Sequence, residues 1–248
     1  MTIGIILTLL MHSLASTYIS STTKSPFSIN LMAIVDADYK FLVVDIGQMG
    51  SASDGGVLDN SNFGSAWNRD RVNMPPPVPL PGTETNTPYV LVADEAFPLK
   101  PNLMRPYPGR EATNDMRKQL YHYRLSRARR VVENAFGILA NRWHFLFNPV
   151  DADPEKLTVT VNAAYVLHNL LCTVSDTNYM PPGYGDTIHK REVFAGFWHT
   201  ELHSLDDLSP CRARNYTQLA ADNRDKITDW CSAEGVRDWQ DGLITRIR

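Results

Sequence analysis

Two carboxylates in this chain have the placement that metal-assisted chemistry needs. Asp94 closes the apolar run Tyr89-Val-Leu-Val-Ala, and Glu133 lies inside the basic helical pattern from Ser126 to Trp143. A strand-end Asp and a helix-borne Glu, brought together by a fold, make half of a magnesium site. Hard divalent ions take carboxylate oxygens and keep several waters. Two such ions roughly 3.5–4 Å apart can serve both the attacking and the leaving oxygen of a phosphodiester. The two acids are 39 positions apart, which leaves room for a loop and most of a helix. The plainer reading gives Glu133 an ion pair with Arg129 at i,i+4 or Arg130 at i,i+3, and makes Asp94 a turn former at the end of its strand.

The surroundings of Glu133 are basic. Arg105, Arg110, Arg117, Lys118, Arg124, Arg127, Arg129 and Arg130 stand against only Glu111 and Asp115. Such a cluster neutralises phosphates locally even where the whole chain, at a formal charge of −3, exerts no global pull on nucleic acid. Arg124, Arg127 and Arg130, spaced by three, are the candidate nucleic-acid contacts, with a solvated, ion-paired helix face as the competing reading. Other chemistries are thinly supported. His199 and His203 have i,i+4 spacing but lack the H-E-x-x-H order of zinc peptidases. His168 in the run Val-Leu-His-Asn-Leu-Leu reads as a satisfied core histidine, and no G-x-S-x-G nucleophile motif is present.

The elements that must position these acids can be read from periodicity. Phe27 to Val35 reads as a strand, Asp36 to Tyr39 as a tight turn and Lys40 to Ile46 as a second strand, together an antiparallel hairpin. Gly47 to Gly56 is a Gly/Ser-rich loop with Asp54 at a helix N-cap position. The proline-dense stretch 69–87 excludes a helix or central strand. A third strand, Pro88 to Ala93, delivers Asp94, and Pro98 to Pro108 is a surface loop. From about Thr113 to Arg142, Ala128, Val132, Ala135, Phe136, Leu139 and the following Trp143 form one buried helical stripe. Gly137 and Ala140 let that helix sit close to a neighbour. Leu157 to Cys172 is apolar nearly all round and reads as a buried helix. Residues 176–190 read as a linker, and Asn215 to Glu234 as an amphipathic helix ending at Gly235. The order of elements implies an α/β fold.

At 248 residues and 43% apolar content, the chain is long enough for one large domain or two small ones and rich enough for a packed core. Cys172, Cys211 and Cys231 are odd in number and far apart, which fits a reducing compartment. The apolar run Ile3 to Met11 is too short to span a bilayer and lacks the positive n-region of a signal peptide. A buried strand or a disordered new N-terminus is the better reading there, with a secretory signal as the lesser alternative, and no stable membrane association is expected.

Seven pieces in order carry a family resemblance: "VDADYKF", "SDGGV", "LVADEAFPL", "RPYPG", "SRARRVVENAFGILANRW", "AAYVLHNLL" and "EGVRDWQ". From Phe27 onward the sequence resembles the DDE domain of PIF/Harbinger-type transposases and their domesticated relatives, the Harbinger transposase-derived nucleases. The resemblance implies an RNase H-like mixed sheet flanked by helices. It also implies a DDE superfamily endonuclease acting on DNA with Mg2+ or Mn2+, in the nucleus with the cytoplasm as the alternative. A separate Myb-like protein would be the sequence reader. Asp94 matches the second Asp of the family's Asp-Asp-Glu trio, and Glu133 matches the Glu; these are the expected catalytic and metal-binding residues. The first Asp would fall near Gly4, about twenty residues before Lys24, yet no acid precedes Asp36. Asp36 and Asp45 lie nearby without matching the missing ligand. The expected layout is an atypical segment 1–26 in place of the first catalytic strand, the mark of an N-terminal truncation. A DDE domain at 27–175 and a linker with a helical tail at 176–248 follow. The functions in competition are an active metal-dependent nuclease, a catalytically impaired or inactive relative that binds DNA or protein, and a secreted domain of unknown role. The absent first Asp favours impairment.

Overall fold

The computed structural model describes residues 7–16, 27–49, 54–147, 150, 152–175, 177–189, 192–201 and 216–236. Its centre is a five-stranded sheet. Strand β1 (Leu7–Ser16) pairs antiparallel with β2 (Phe27–Val35), which pairs antiparallel with β3 (Phe41–Met49). Two small strands, β4 (Val78–Pro79) and β5 (Asn86–Thr87), pair only with each other inside the proline-rich stretch. On the other side of β1 the short strand β6 (Leu91–Val92) runs parallel to it, and β7 (Leu103–Met104) runs parallel to β6. The order across the sheet is therefore β3-β2-β1-β6-β7.

Alternation along β2 divides the core. Leu31, Ala33 and Val35 pack on one side of the sheet with α4 (Met116–Arg142) and α5 (Pro154–Thr173). Met32 and Ile34 pack on the other side with Val57 and Leu58 of α1 (Asp54–Asn60) and the neighbouring α2 (Asn62–Asn68). This is the period-two burial of a central strand covered on both faces. The β2–β3 turn closes as its sequence predicts. The Asp36 carboxylate accepts the amides of Asp38 and Lys40, each at 2.9 Å, and Tyr39 takes φ of 64°.

The helical pattern expected from Thr113 is broken in two. A short α3 (Gly109–Ala112) ends, and Asp115 then caps α4 by accepting the amides of Arg117 and Lys118. From there α4 runs 27 residues and buries the expected stripe of Val132, Ala135, Phe136 and Leu139. Helix α5 differs from expectation. Leu157, Val161, Ala164, Tyr165 and His168 are buried, but Val159, Val166, Leu167 and Leu170 are exposed. A helix read as apolar nearly all round is thus buried on one face only, because nothing among the described residues covers its outer side. The loop expected between Pro98 and Pro108 contains β7.

The stretch read as a linker is packed. The hairpin β8 (Thr187–His189) and β9 (Glu192–Phe194) and the 3-10 turn Phe197–Glu201 follow Tyr179 and Tyr184. Tyr179, Tyr184 and Trp198 are buried against Ile138 of α4. Aromatic side chains, which the proline and glycine content masked, anchor it. Helix α6 (Gln218–Ser232) then packs on α4, with Ala220 buried beside Tyr107, Tyr121 and Leu125. Among the described residues no helix is long and apolar enough to cross a membrane.

Candidate functional site

Asp94 stands two residues past the end of β6, on the side of the sheet that α4 covers. One carboxylate oxygen accepts the Ala96 amide at 2.9 Å, a local turn that fixes the group. Its other oxygen lies 3.6 Å from Nη2 of Arg129. That same nitrogen lies 3.5 Å from a carboxylate oxygen of Glu133, one turn further along α4. The two acids therefore converge on a single cationic nitrogen, and their oxygens are no farther apart than the sum of those two contacts. The Glu133 side chain is 44% exposed and that of Asp94 16%. Both contacts are ion pairs too long for hydrogen bonds, and Nε of Arg129 is buried with no hydrogen-bond partner. The guanidinium occupies a point between the two acids.

The donor set fits part of what a DDE-type metal centre requires. Two converging carboxylates are hard oxygen ligands that suit one magnesium or manganese ion retaining its waters. They do not supply the ligand that bridges two ions. Among the described residues, no group of three or more His, Cys, Asp or Glu side chains gathers. Strand β1, the parallel neighbour of β6, shows why. Its register sets Thr8 against Val92, so two residues on, Leu10 reaches the level of Asp94; the strand carries no acid from Leu7 to Ser16. The position near Gly4 lies outside the described residues. Asp36 is consumed by its own turn. Asp45 pairs across strands with Met32, which packs on the α1 side of the sheet, and burial raises its carboxyl pKa. Neither acid stands in for the missing one.

The three arginines expected to meet nucleic acid are held within the chain. Arg124 donates to the Gly235 carbonyl and lies over the Trp230 ring at 5.4 Å. Arg127 stacks 5.8 Å from the Tyr123 ring centre, and Nε of Arg130 lies 3.8 Å from Asp186. His168, as expected, is a core group. The carbonyl of Tyr39 can only accept, so Nε2 of His168 donates to it at 2.8 Å, and Nδ1 accepts from the Tyr179 hydroxyl at 2.6 Å. Burial pushes its pKa down to about 4. Beside it, Asn169 bonds the amide and carbonyl of Phe41, both at 2.8 Å. The "LHN" signature thus ties α5 to the β2–β3 turn. His199 pairs with Asp186 at 2.8 Å, and His203 lies outside the described residues.

One group was not legible from spacing. Asn134 accepts the indole N–H of Trp198 at 2.5 Å and the amide of Asp186 at 2.9 Å, and Asp186 in turn accepts the amide of Gly196. The Trp198 ring lies directly over Gly137, where any Cβ would stand 2.3 Å from it. The small residue at 137 was visible in the sequence. The tryptophan it receives, 61 positions on, was not.

Comparison with known proteins identifies the family. A family model described as DDE superfamily endonuclease matches residues 12–169. "Protein ALP1-like" of Arabidopsis thaliana is 30% identical over 151 residues, which cover 60% of this chain and 36% of that protein. The chain therefore matches little more than a third of that relative's length. No solved structure matches. The matched segment spans more than half of the chain and contains both Asp94 and Glu133: the protein belongs to the DDE superfamily endonucleases.

Proposed function

We propose that this chain is a divalent-metal-dependent, DDE-type nuclease domain of Harbinger transposase descent, directed at DNA phosphodiester bonds and impaired in cleavage as its sequence stands. The convergence of Asp94 and Glu133 on one Arg129 nitrogen carries the reading. A strand end and a mid-helix position 39 residues apart meet at one point, as a shared ion would require. The order β3-β2-β1-β6-β7, antiparallel through β1 and parallel beyond it, supports an RNase H-like fold. In the active arrangement a metal ion supplies Lewis acidity and lowers the pKa of a bound water. The chain's own part is to hold that ion through Asp94 and Glu133, with the Arg129 guanidinium withdrawn toward a substrate phosphate. With Leu10 at the level of Asp94, the bridging acid is missing, and impairment follows from that vacancy in the trio. DNA is the substrate class, the nucleus the compartment, and a separate Myb-like protein the sequence reader.

The test is a nicking assay on supercoiled DNA with Mg2+ or Mn2+, comparing the chain with Asp94→Ala and Glu133→Ala. Weak or absent cleavage is expected throughout, with calorimetric Mn2+ binding that either substitution abolishes. Robust cleavage by the unaltered chain would refute the impairment. Mn2+ binding indifferent to both substitutions would remove the metal site itself.

A further inference from the structure

A cleft of about 360 Å³ opens between the start of α4 and α6, with neither Asp94 nor Glu133 in its lining. That volume is in the range of small-ligand sites. Arg224 lies against it, 3% exposed, with its Nε buried and without a hydrogen-bond partner. The guanidinium sits 3.8 Å from the centre of the Tyr107 ring and 5.6 Å from that of Tyr216. Two aromatic faces hold the cation but accept none of its N–H bonds in the way an oxygen does. Among the described residues no carboxylate lies within 4.0 Å of it. The adjacent Asp225 accepts the Tyr107 hydroxyl at 2.5 Å, and Thr228 lies 2.9 Å from the same hydroxyl. A buried cation without an anion is costly, and here its partner is absent from the described chain.

We propose that this cleft is a binding site for a carboxylate, with Arg224 as its anchor, presented by a positively charged segment of a protein partner. The guanidinium offers a planar fork that matches a carboxylate in a bidentate pair. The rim decides what carries the carboxylate. Four acids line the cleft against three cations, one of them Arg224 itself, so the rim around Arg224 keeps an excess of two acids over cations. Arg117 pairs with Asp115 at 3.3 Å and Asp229 at 2.6 Å. Lys118 is 3.5 Å from Glu111. A nucleic-acid backbone would bring several phosphates against that acidic rim and be repelled. A peptide with one acid between basic residues meets cation with anion at the floor and anion with cation at the rim. The site is independent of the nuclease reading, since neither Asp94 nor Glu133 takes part.

The experiment is fluorescence anisotropy on the full chain with two labelled peptide amides, Lys-Lys-Glu-Lys-Lys and the same peptide with Gln in the central place. The Glu peptide is expected to bind at least about tenfold more tightly to the unaltered chain, a comparison that needs no variant. Arg224→Gln, checked by circular dichroism, is expected to erase the difference, and Arg224→Lys to keep a reduced one. Asp94→Ala is expected to leave it unchanged. Equal binding of the two peptides by the unaltered chain overturns the proposal and leaves Arg224 as a staple for Tyr107. A preference for the Glu peptide that persists undiminished in Arg224→Gln overturns it too, placing the carboxylate somewhere other than Arg224.

Discussion

Glu133 and Asn134 are neighbours on one helix, and their surroundings are opposite. Glu133 is half exposed and meets Arg129 at 3.5 Å, a contact too long for a hydrogen bond. Asn134 is buried, and its carbonyl oxygen holds two donors at 2.5 and 2.9 Å. On the first side, three charged groups share long contacts and a buried Nε goes without a hydrogen bond. On the second, a tryptophan, an asparagine and an aspartate hold Tyr179, Tyr184, Asp186 and Trp198 against α4. A group that must release its present partner to take another is held loosely. A group whose work is to fix geometry is fully bonded. The same helix serves both because adjacent residues point about 100° apart.

The largest expected effect lies on the locked side. Trp198→Ala removes a buried ring from over Gly137 and leaves Asn134 short of a donor. Loss of a buried aromatic costs about 3–5 kcal/mol. Glu133→Gln, one residue from the anchor, is expected to change stability by less than about 1 kcal/mol. Urea unfolding with an unchanged m-value reads both, and equal losses would erase the distinction between the two sides.

The next effect depends on pH and also belongs to the locked side, since His168 joins α5 to Tyr179. Its folded pKa, about 4, is depressed from the ordinary 6.5 by burial. The unfolded chain therefore binds a proton that the folded chain refuses between those values. Stability from this group is complete above pH 6.5 and is lost as pH falls toward 4, on the order of 3 kcal/mol in all. The groups facing it are the Tyr179 hydroxyl, the Tyr39 carbonyl and the Cys172 thiol, none of them cationic. His168→Gln should lower stability at pH 7 and flatten the acid limb. An unchanged acid limb would mean that carboxylates, not this imidazole, govern it.

What the sequence revealed of all this divides along similar lines. The strand Phe27–Val35, the Asp36 turn and the stripe on α4 follow from local periodicity and turn chemistry, and they appear where those rules put them. The second strand, expected over Lys40 to Ile46, runs from Phe41 to Met49 into the stretch read as a loop. The meeting of Asp94 with Glu133 was legible only through the order of motifs, because nothing local relates a strand end to a helix 39 residues on. Three things were illegible for physical reasons. Strand β7 is two residues long, with no periodicity to read, and falls in the stretch read as a loop, whereas β6 lies inside the expected strand Pro88 to Ala93. The outer face of α5 is apolar in sequence, and composition does not say whether anything covers it. Arginine direction is set by distant partners: Arg124 turns to Gly235 and Arg130 to Asp186, contacts that close only when the C-terminal third folds back on α4.

The smallest effect on stability is expected from Arg129, and it is the most informative about the loose side. Its Nη2 contacts to Asp94 and Glu133, at 3.6 and 3.5 Å, are long and partly solvated, and pairs of that kind contribute about 0–1 kcal/mol. Arg129→Gln should therefore shift the urea midpoint little. The same substitution leaves two convergent carboxylates with no cation between them, which raises their affinity for Mn2+ in place of the lost guanidinium. If the guanidinium had held the two acids by about 1 kcal/mol in all, binding should tighten roughly fivefold. Electron paramagnetic resonance of free Mn2+ during titration measures it, at low ionic strength so that screening does not mask the charge. Tighter binding with unchanged stability would mean that Arg129 and the ion compete for one place. Weaker binding would mean that the guanidinium orients the acids, and that Asp94 and Glu133 need it to remain together. A large loss of stability would put Arg129 with Asn134 and Trp198, and the contrast between the two sides of α4 would end there.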